Sequence, residues 1–558
     1  MARRPAPAAG PRLWAFLAAA ALACSACGGE VDIQHHGDEL DQVPQRSVAL
    51  PGSVPPANPQ SGAVTPPELN RAYAQVYQSA ATADSRVRKV LVLVPGFLGG
   101  AGSFDYMARR IVLRSNGATA VWAVDRRSNA LEDQTGLDAA EAAKDPDVAK
   151  NYYFAGAQIG GRTFTGFVKG SAVTFVSEWG IQTVVEDLDA LIGEAARRYP
   201  NANIFLGGHS LGGSIVPIYA AWDFGGRAGF ERLSGLVLLE GVPSPDDPTA
   251  IPAQDAYETT GFGPITSRTS LAMVRRSPIT ALPLIGPDLF VTAQIIAMRV
   301  SDRFGAPRAQ TPDGDLIANF FKVLFGLHTL PAMTNRAALG FGFDNDYEPL
   351  SFARVSIGAA AGPVGRNPNA GIFSAFVGPG EQLLAPTDPH ASYDWQPSKE
   401  MPVPEPTDIE TFARVLFAGP SDFIEWYFPA RLTLDVAVTT FLNVQRTGDW
   451  RKDVYRMAVT ENARVDVPVF AVGGSKGLVP DLSSFAPYHD SIAPILRNGS
   501  MRDASPAGFV TLLKDGYVHL DVLTADDSGP GNGEFGPLVE WMDAAAALAL
   551  RPSHETNE

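Results

Sequence analysis

Six short, almost unbroken apolar runs limit what this chain can fold into. They are KVLVLV (89–94), ATAVWAV (118–124), NIFLGG (203–208), GLVLLEG (235–241), VPVFAVGG (467–474) and GFVTLLK (508–514). A strand with one wet face alternates apolar and polar residues. A continuous β-branched run suits a strand covered on both faces, as in a parallel sheet. Between the runs lie amphipathic stretches. In TVVEDLDALIGEAARRY, residues Val184, Leu188, Leu191, Ile192 and Ala195 share one face at helical spacing. The segment after Ser210, LGGSIVPIYAAWDF, reads as a helix interrupted only by Pro217. Strands alternating with helices predict an α/β fold, a mostly parallel sheet flanked by helices. Ligands of such sheets collect beyond the carboxyl ends of the strands.

The chain has 558 residues, 45% apolar and 19% charged, which is ample material for a core. With 44 Lys+Arg against 60 Asp+Glu, the formal charge is −16. An acidic chain without a long basic run repels phosphate backbones, so no nucleic-acid partner is expected. The two cysteines, Cys24 and Cys27, both precede the body. Neither a disulfide framework nor a cysteine metal cage is available to it, and no metal or cofactor is implied.

Residues 1–24 read as a signal peptide. Arg3, Arg4 and Arg12 supply a positive start, and Leu13–Ala23 is apolar but too short to span a bilayer. Ala21-Leu22-Ala23 before Cys24 resembles a lipobox, with Cys27 as the alternative lipidation site. The expectation is an exported protein held to a membrane through an N-terminal lipid alone. Residues 25–84, proline-rich and polar, read as a tether ending in a short helix near 69–80. Core segments are then expected at 85–244 and 461–558. Between them, 245–460 lacks strand alternation and reads as a mainly helical cap. Its helix candidates are 288–304, 314–328, 407–419 and 421–432, with Asp288, Thr407 and Ser421 as N-caps.

Residues 208–212, Gly-His-Ser-Leu-Gly, match G-x-S-x-G, and so do residues 473–477, Gly-Gly-Ser-Lys-Gly. The pattern carries chemistry when a buried strand turns sharply into a helix and lifts the serine above the sheet edge. Ser210 has a strand before it and an apolar helix after it. Ser475 precedes a loop. Ser210 is therefore the candidate nucleophile, and its hydroxyl needs a base within hydrogen-bond reach. Of eight histidines, His35, His36 and His554 lie in tails, His328 and His390 in the insertion, and His489 after a loop. His209 adjoins the serine, where neighbouring side chains point apart. His519 comes after the last strand and before the terminal helix, which places it at the same sheet edge as Ser210.

Together these residues resemble the α/β-hydrolase superfamily over about 85–244 and 461–550, with the chain order serine, acid, histidine. The resemblance implies a lid where the insertion falls. It also implies an acid that fixes the histidine tautomer. Most of the family places that acid after the penultimate strand, but here the turn Gly473–Leu478 has no carboxylate, and the nearest is Asp481. A minority places it one strand earlier, where Glu240 closes GLVLLE. A carboxylate ending an apolar strand needs a partner, so Glu240 is favoured. Asp481, and Asp246 or Asp247, remain open, and Asp521 reads as a loop-stabilising group. The resemblance further implies an oxyanion site built from the backbone N–H of Leu211 and that of Phe97. Phe97 lies in the turn Pro95–Gly100, where Pro95 replaces the usual histidine.

Apolar cap helices over the catalytic edge would form a greasy roof. Phe290, Phe320, Phe321, Phe325, Trp426, Tyr427 and Phe428 could line a pocket or pack the cap itself. The expected activity is a serine esterase or lipase acting on hydrophobic carboxylic esters. Acyl transfer, amide or polyester cleavage or peroxidation on the same residues are alternatives, as is an exported binding lipoprotein without catalysis.

Overall fold

The computed structural model describes residues 39–245, 251–263, 268–280, 285–301, 318, 321–322, 324–327, 329–370, 382–527 and 533–549. Cys24, Cys27, the segment 1–24, Asp246, Asp247 and most of the candidate helix 314–328 lie outside them.

Eight strands form one sheet: β1 (Gln45–Pro51), β2 (Arg71–Tyr77), β3 (Lys89–Val94), β4 (Thr119–Asp125), β5 (Asn203–His209), β6 (Gly235–Leu239), β7 (Val469–Gly474) and β8 (Phe509–Lys514). Their order is β1-β2-β4-β3-β5-β6-β7-β8, and β2 alone runs against the others. All six apolar runs are strands of this sheet. Side chains along a strand point alternately to the two faces. On β3, Val90, Val92 and Val94 enter one core with helices α2 (Ile181–Arg198) and α3 (Leu211–Ala220). Leu91 and Leu93 enter the opposite core with helices α1 (Asp105–Arg114) and α8 (Phe535–Ala549). Each such fully buried aliphatic side chain contributes roughly 1.5–3 kcal/mol, which is why these segments need no polar alternation.

Two expectations about the ends of the core are corrected. Residues 25–84 are not a free tether over their described part, because β1 and β2 pair as a long-armed hairpin, and β2 lies against β4. The helix expected near 69–80 is strand β2. The proline-rich link between them is pinned by Asn58, fully buried, whose side-chain nitrogen donates to Thr174 O (2.8 Å) and Arg275 O (3.0 Å). Side-chain hydrogen bonds to distant backbone replace the apolar burial that the composition lacks.

The described part of the insertion holds short strands as well as the expected helices. Helices α4 (Pro287–Val300), α5 (Asn335–Phe343) and α6 (Ile409–Phe417) pack together beside a three-stranded sheet of 332–333, 358–361 and 392–397. The N-caps are Gly286 and Asp408, not Asp288 and Thr407. Residues 421–429 are not helical. Helix α7 starts only at Ala430 and runs to Thr439. Ile424 instead bridges Gly99 in antiparallel fashion, and Ser421 donates to Asp125 (2.9 Å). Backbone pairing with the loop after β3 holds SDFIEWYF out of a helix. Helix α7 and the residues up to Val459 join the core beneath α2 and α3, so the insertion re-enters the sheet layer before 460. Among the described residues no helix is long and apolar enough to cross a membrane.

Candidate active site

Ser210 sits between β5 and α3 with φ 55° and ψ −121°, a conformation costly for any residue but glycine. The turn survives because its flanks are tightly packed: a Cβ on Gly212 would strike the carbonyl oxygen of Val94. Glu240, directly after β6, also has positive φ (49°), as does Leu98 (55°) in the loop after β3. Three of the strained non-glycine positions thus lie at one sheet edge.

The Glu240 side chain is buried, and each of its oxygens is used. Oε1 accepts from Gly474 N (2.6 Å) and Val479 N (3.3 Å). Oε2 accepts from Leu478 N (2.6 Å) and from His519 Nδ1 (3.0 Å). The turn after β7, which lacks a carboxylate, wraps its amides around the carboxylate from β6. A Cβ on Gly477 would collide with that carboxylate, so the turn needs glycine there. A carboxylate only accepts, so the His519 hydrogen sits on Nδ1 and Nε2 keeps its lone pair.

His519 is 1% exposed and held from three sides. Asp521 Oδ2 accepts from Val518 N (2.9 Å), while its Oδ1 accepts from Ser356 N (3.0 Å) and Thr407 Oγ1 (2.7 Å) of the insertion. Burial pushes the Asp521 carboxyl up to about 6. His209, which sequence reasoning set aside, lies with its ring centroid 4.5 Å from that of His519, and its Nε2 donates to His519 O (3.0 Å). Burial, and then the neighbouring imidazole, holds His209 well below the ordinary histidine value, so it stays neutral. Nothing in the sequence pattern singled it out, since the contact spans 310 residues.

Leu211 opens α3, and its N–H has no intrahelical acceptor. Neither it nor the Phe97 N–H has a hydrogen-bond partner among the described residues. The Phe97 plane is fixed by Arg126, 6% exposed, which donates to Gly96 O (2.9 Å), Gly99 O (2.7 Å) and also Pro95 O. In a trans peptide the carbonyl and the following N–H point opposite ways. Anchoring Gly96 O therefore aims the Phe97 N–H away from the guanidinium. Arg126 is itself paired with Glu425 of the insertion (2.8 Å), which also receives Ser128 Oγ. Glu425 N donates to Leu98 O (2.8 Å), and Gly100 N to Phe423 O (2.9 Å).

Ser210, His209, His519 and the Phe97 loop open into one cavity of about 130 Å³. Its roof is apolar and includes Ile285, Phe290, Ile296, Leu339 and Phe343. Of the aromatic residues expected to line a pocket or pack the cap, Phe290 and Phe321 line the cavity, whereas Phe325 packs on Phe321 and Phe341, and Trp426 on Tyr153 and Phe167. Phe428 stacks on Phe97 beneath Arg126. No hydrogen bond joins Ser210 Oγ to His519 among the described residues; such contacts often tighten only when substrate arrives. The remaining candidates fall elsewhere. Asp481 caps the turn at Leu482–Phe485 through Ser483 N (2.8 Å), and His489 pairs with Asp490 and Asp503 at the surface.

No family model matches the sequence, and no curated protein sequence matches it. Solved structures are similar to it at low identity. A lipase candidate from Sulfolobus solfataricus is 13% identical, with a TM-score of 0.42, over 90% of this chain and 95% of that one. A peroxisomal alpha-beta-hydrolase from Saccharomyces cerevisiae is 10% identical, with a TM-score of 0.35, over 92% and 93%. A monoacylglycerol lipase from Paleococcus ferrophilus is 11% identical, with a TM-score of 0.31, over 82% and 96%. The assignment of fold rests on the chain's own features: a buried strand, a strained serine turn and a helix, then a glutamate and a histidine in that chain order at the edge of a mostly parallel sheet. By that architecture the chain has the α/β-hydrolase fold.

Proposed function

We propose that the protein is a serine hydrolase of hydrophobic carboxylic esters. The observation that carries this reading is His519, paired with buried Glu240 and lining one apolar cavity together with Ser210. In the reaction, His519 Nε2 takes the Ser210 proton as Oγ attacks the ester carbonyl carbon. The oxygen that becomes negative receives the Phe97 and Leu211 N–H groups. Glu240 stabilises the imidazolium and keeps its proton on Nδ1. His519 then protonates the departing alcohol, leaving an acyl-Ser210 ester. Water, deprotonated by His519, attacks that ester, and collapse returns the carboxylic acid and free Ser210. Arg126 acts as a positioning residue for the Phe97 amide, and the 421–428 segment as a strap holding that loop.

The test is a p-nitrophenyl ester panel of rising acyl length, run together with fluorophosphonate labelling of the folded protein. The expected result is turnover that Ser210→Ala abolishes, with label on Ser210. Unchanged turnover in Ser210→Ala would overturn the mechanism. Export and membrane attachment through a lipid on Cys24 complete the proposal. The apolar segment Leu13–Ala23 and the small residues before Cys24 support this part. The mass of the mature N-terminus tests it.

A further inference from the structure

One wall of the cavity carries a carboxyl group that ester hydrolysis does not require. Glu348 lines the cavity beside Leu350, Phe352 and Ala353 and is 5% exposed. Its Oε1 accepts from Leu350 N (2.7 Å), and its Oε2 has no hydrogen-bond partner among the described residues. The other polar side chains of the lining are engaged or assigned. Ser103 Oγ donates to Gly100 O, Thr292 Oγ1 to Asp288 O and His209 to His519 O, while Ser210 and His519 belong to the chemistry.

The nearby cation does not pair with this carboxyl. Arg354 directs its guanidinium at the main-chain oxygens of Glu348 (2.7 Å) and Pro349 (3.5 Å). Burial pushes the Glu348 carboxyl up to about 8, against the smaller opposing pulls of the Leu350 N–H and Arg354. At neutral pH it therefore carries its proton, and can both donate and accept. The same segment borders the reacting groups: Phe352 stacks edge-on to Phe97 at 5.5 Å, and Leu520 N, next to His519, donates to Arg354 O (3.0 Å). A half-used carboxyl in an apolar wall carries a desolvation cost that a complementary ligand group would relieve.

We propose that Glu348 reads a hydroxyl group on the substrate, so that the site selects hydroxyl-bearing apolar esters over plain alkyl esters. The inference rests on the ester-hydrolase reading above and narrows its substrate class. A hydroxyl matches a neutral carboxyl, donor to acceptor and acceptor to donor. An ammonium group does not, because it would be desolvated beside the Arg354 guanidinium. The hydroxyl can sit on the acyl chain or on the alcohol part. A site built to hydrogen-bond a hydroxyl discriminates far more strongly than one that only packs alkyl groups.

The experiment compares kcat/KM for two matched pairs. One is a hydroxyacyl ester against the acyl ester of equal length. The other is a monoester of a polyol against an alkyl ester of equal size. The expected result is a preference of at least about tenfold for the hydroxylated member in one pair, and that pair locates the hydroxyl. Glu348→Met should bring the ratio within about twofold of one, and Glu348→Gln should keep it.

A third readout needs no variant. A methoxy analogue only accepts, so its rate relative to the hydroxy ester should fall as pH rises through about 8 and the Glu348 carboxyl loses its proton. The ratio cancels any pH dependence common to both esters. Ratios near one in both pairs, with the plain esters still turned over, would overturn the inference. So would an unchanged preference in folded Glu348→Met, or a methoxy ratio flat from about pH 6.5 to 9.5. If wild type turns over no ester, the broader hydrolase reading fails instead.

Discussion

The chain contains the same five-residue pattern twice, at the carboxyl ends of two parallel strands of one sheet, and puts it to two different uses. After β5, Gly208–Gly212 folds into a strained bend that feeds α3 and presents Ser210 to the cavity. After β7, Gly473–Gly477 folds back on itself. Ser475 Oγ donates to Asp515 (3.1 Å) and accepts from Gly516 N (2.8 Å), while amides of that turn and the residues just after it enclose Glu240. One turn exposes a side chain and the other lends its backbone. The difference comes from the segment that each turn leads into, an apolar helix that must pack in the first case and a polar loop in the second.

The largest effect expected is between the two serines. Ser210→Ala should lower kcat/KM by at least about 10⁴-fold, and Ser475→Ala should leave it within about twofold. Comparable losses in both would erase the contrast. Next, Glu240→Gln should cost about 10³–10⁴-fold in kcat, because an amide can present a donor to His519 Nδ1 and impose the wrong tautomer. Asp481→Asn, which touches only a helix cap, should change kcat little. Steady-state kinetics on one ester reads all four variants.

A smaller loss, about 10²-fold in kcat with KM near wild type, is expected for Arg126→Lys. Ammonium geometry cannot hold the carbonyls of Gly96 and Gly99 together with Glu425. An unchanged melting temperature with reduced kcat separates positioning from unfolding. A KM increase alone would argue against an oxyanion role for that loop.

The smallest effect expected concerns stability. Burial raises Glu348 to about 8, Glu405 to about 7 and Asp187 to about 6, so the folded chain binds more protons than the unfolded chain across this range. Stability from these groups is fully present below the unfolded carboxylate range and is lost as pH rises through about 6 to 8. The lowered His209 acts oppositely, losing stability below the ordinary histidine range. Melting temperature should therefore decline from about pH 6.5 to 8.5, with a shallower slope in Glu348→Gln. A rising curve would contradict the burial argument.

The difference between the two turns also marks where sequence reasoning held and where it stopped. Strands β3 to β7 were legible because both their faces are dry, and the edge strand β8, half wet, was legible from its apolar run alone. That Ser210 and His519 share one sheet edge was legible from the position of each relative to a strand end. Glu240 as the partner of His519 was favoured by the family resemblance and as an apolar strand's unexplained carboxylate, with Asp481 and Asp246 or Asp247 open. β1 and β2 were not, because QRSVALP and RAYAQVY are short and rich in small or polar residues, and their pairing is across the sheet. The segment 421–429 misled for a related reason. Its apolar content reads as a cap helix, yet its backbone is claimed by the loop at Leu98–Gly100.

By itself the sequence determined the sheet, the serine turn and the histidine's side of it, since each depends on patterns a few residues long. Tertiary structure alone decided which amides cradle Glu240, that His209 braces His519, that Arg126 aims the Phe97 peptide, and that Glu348 faces the cavity. These are contacts between residues far apart in the chain. Hydrogen-bond geometry within a few tenths of an ångström settles them, and no local pattern encodes that.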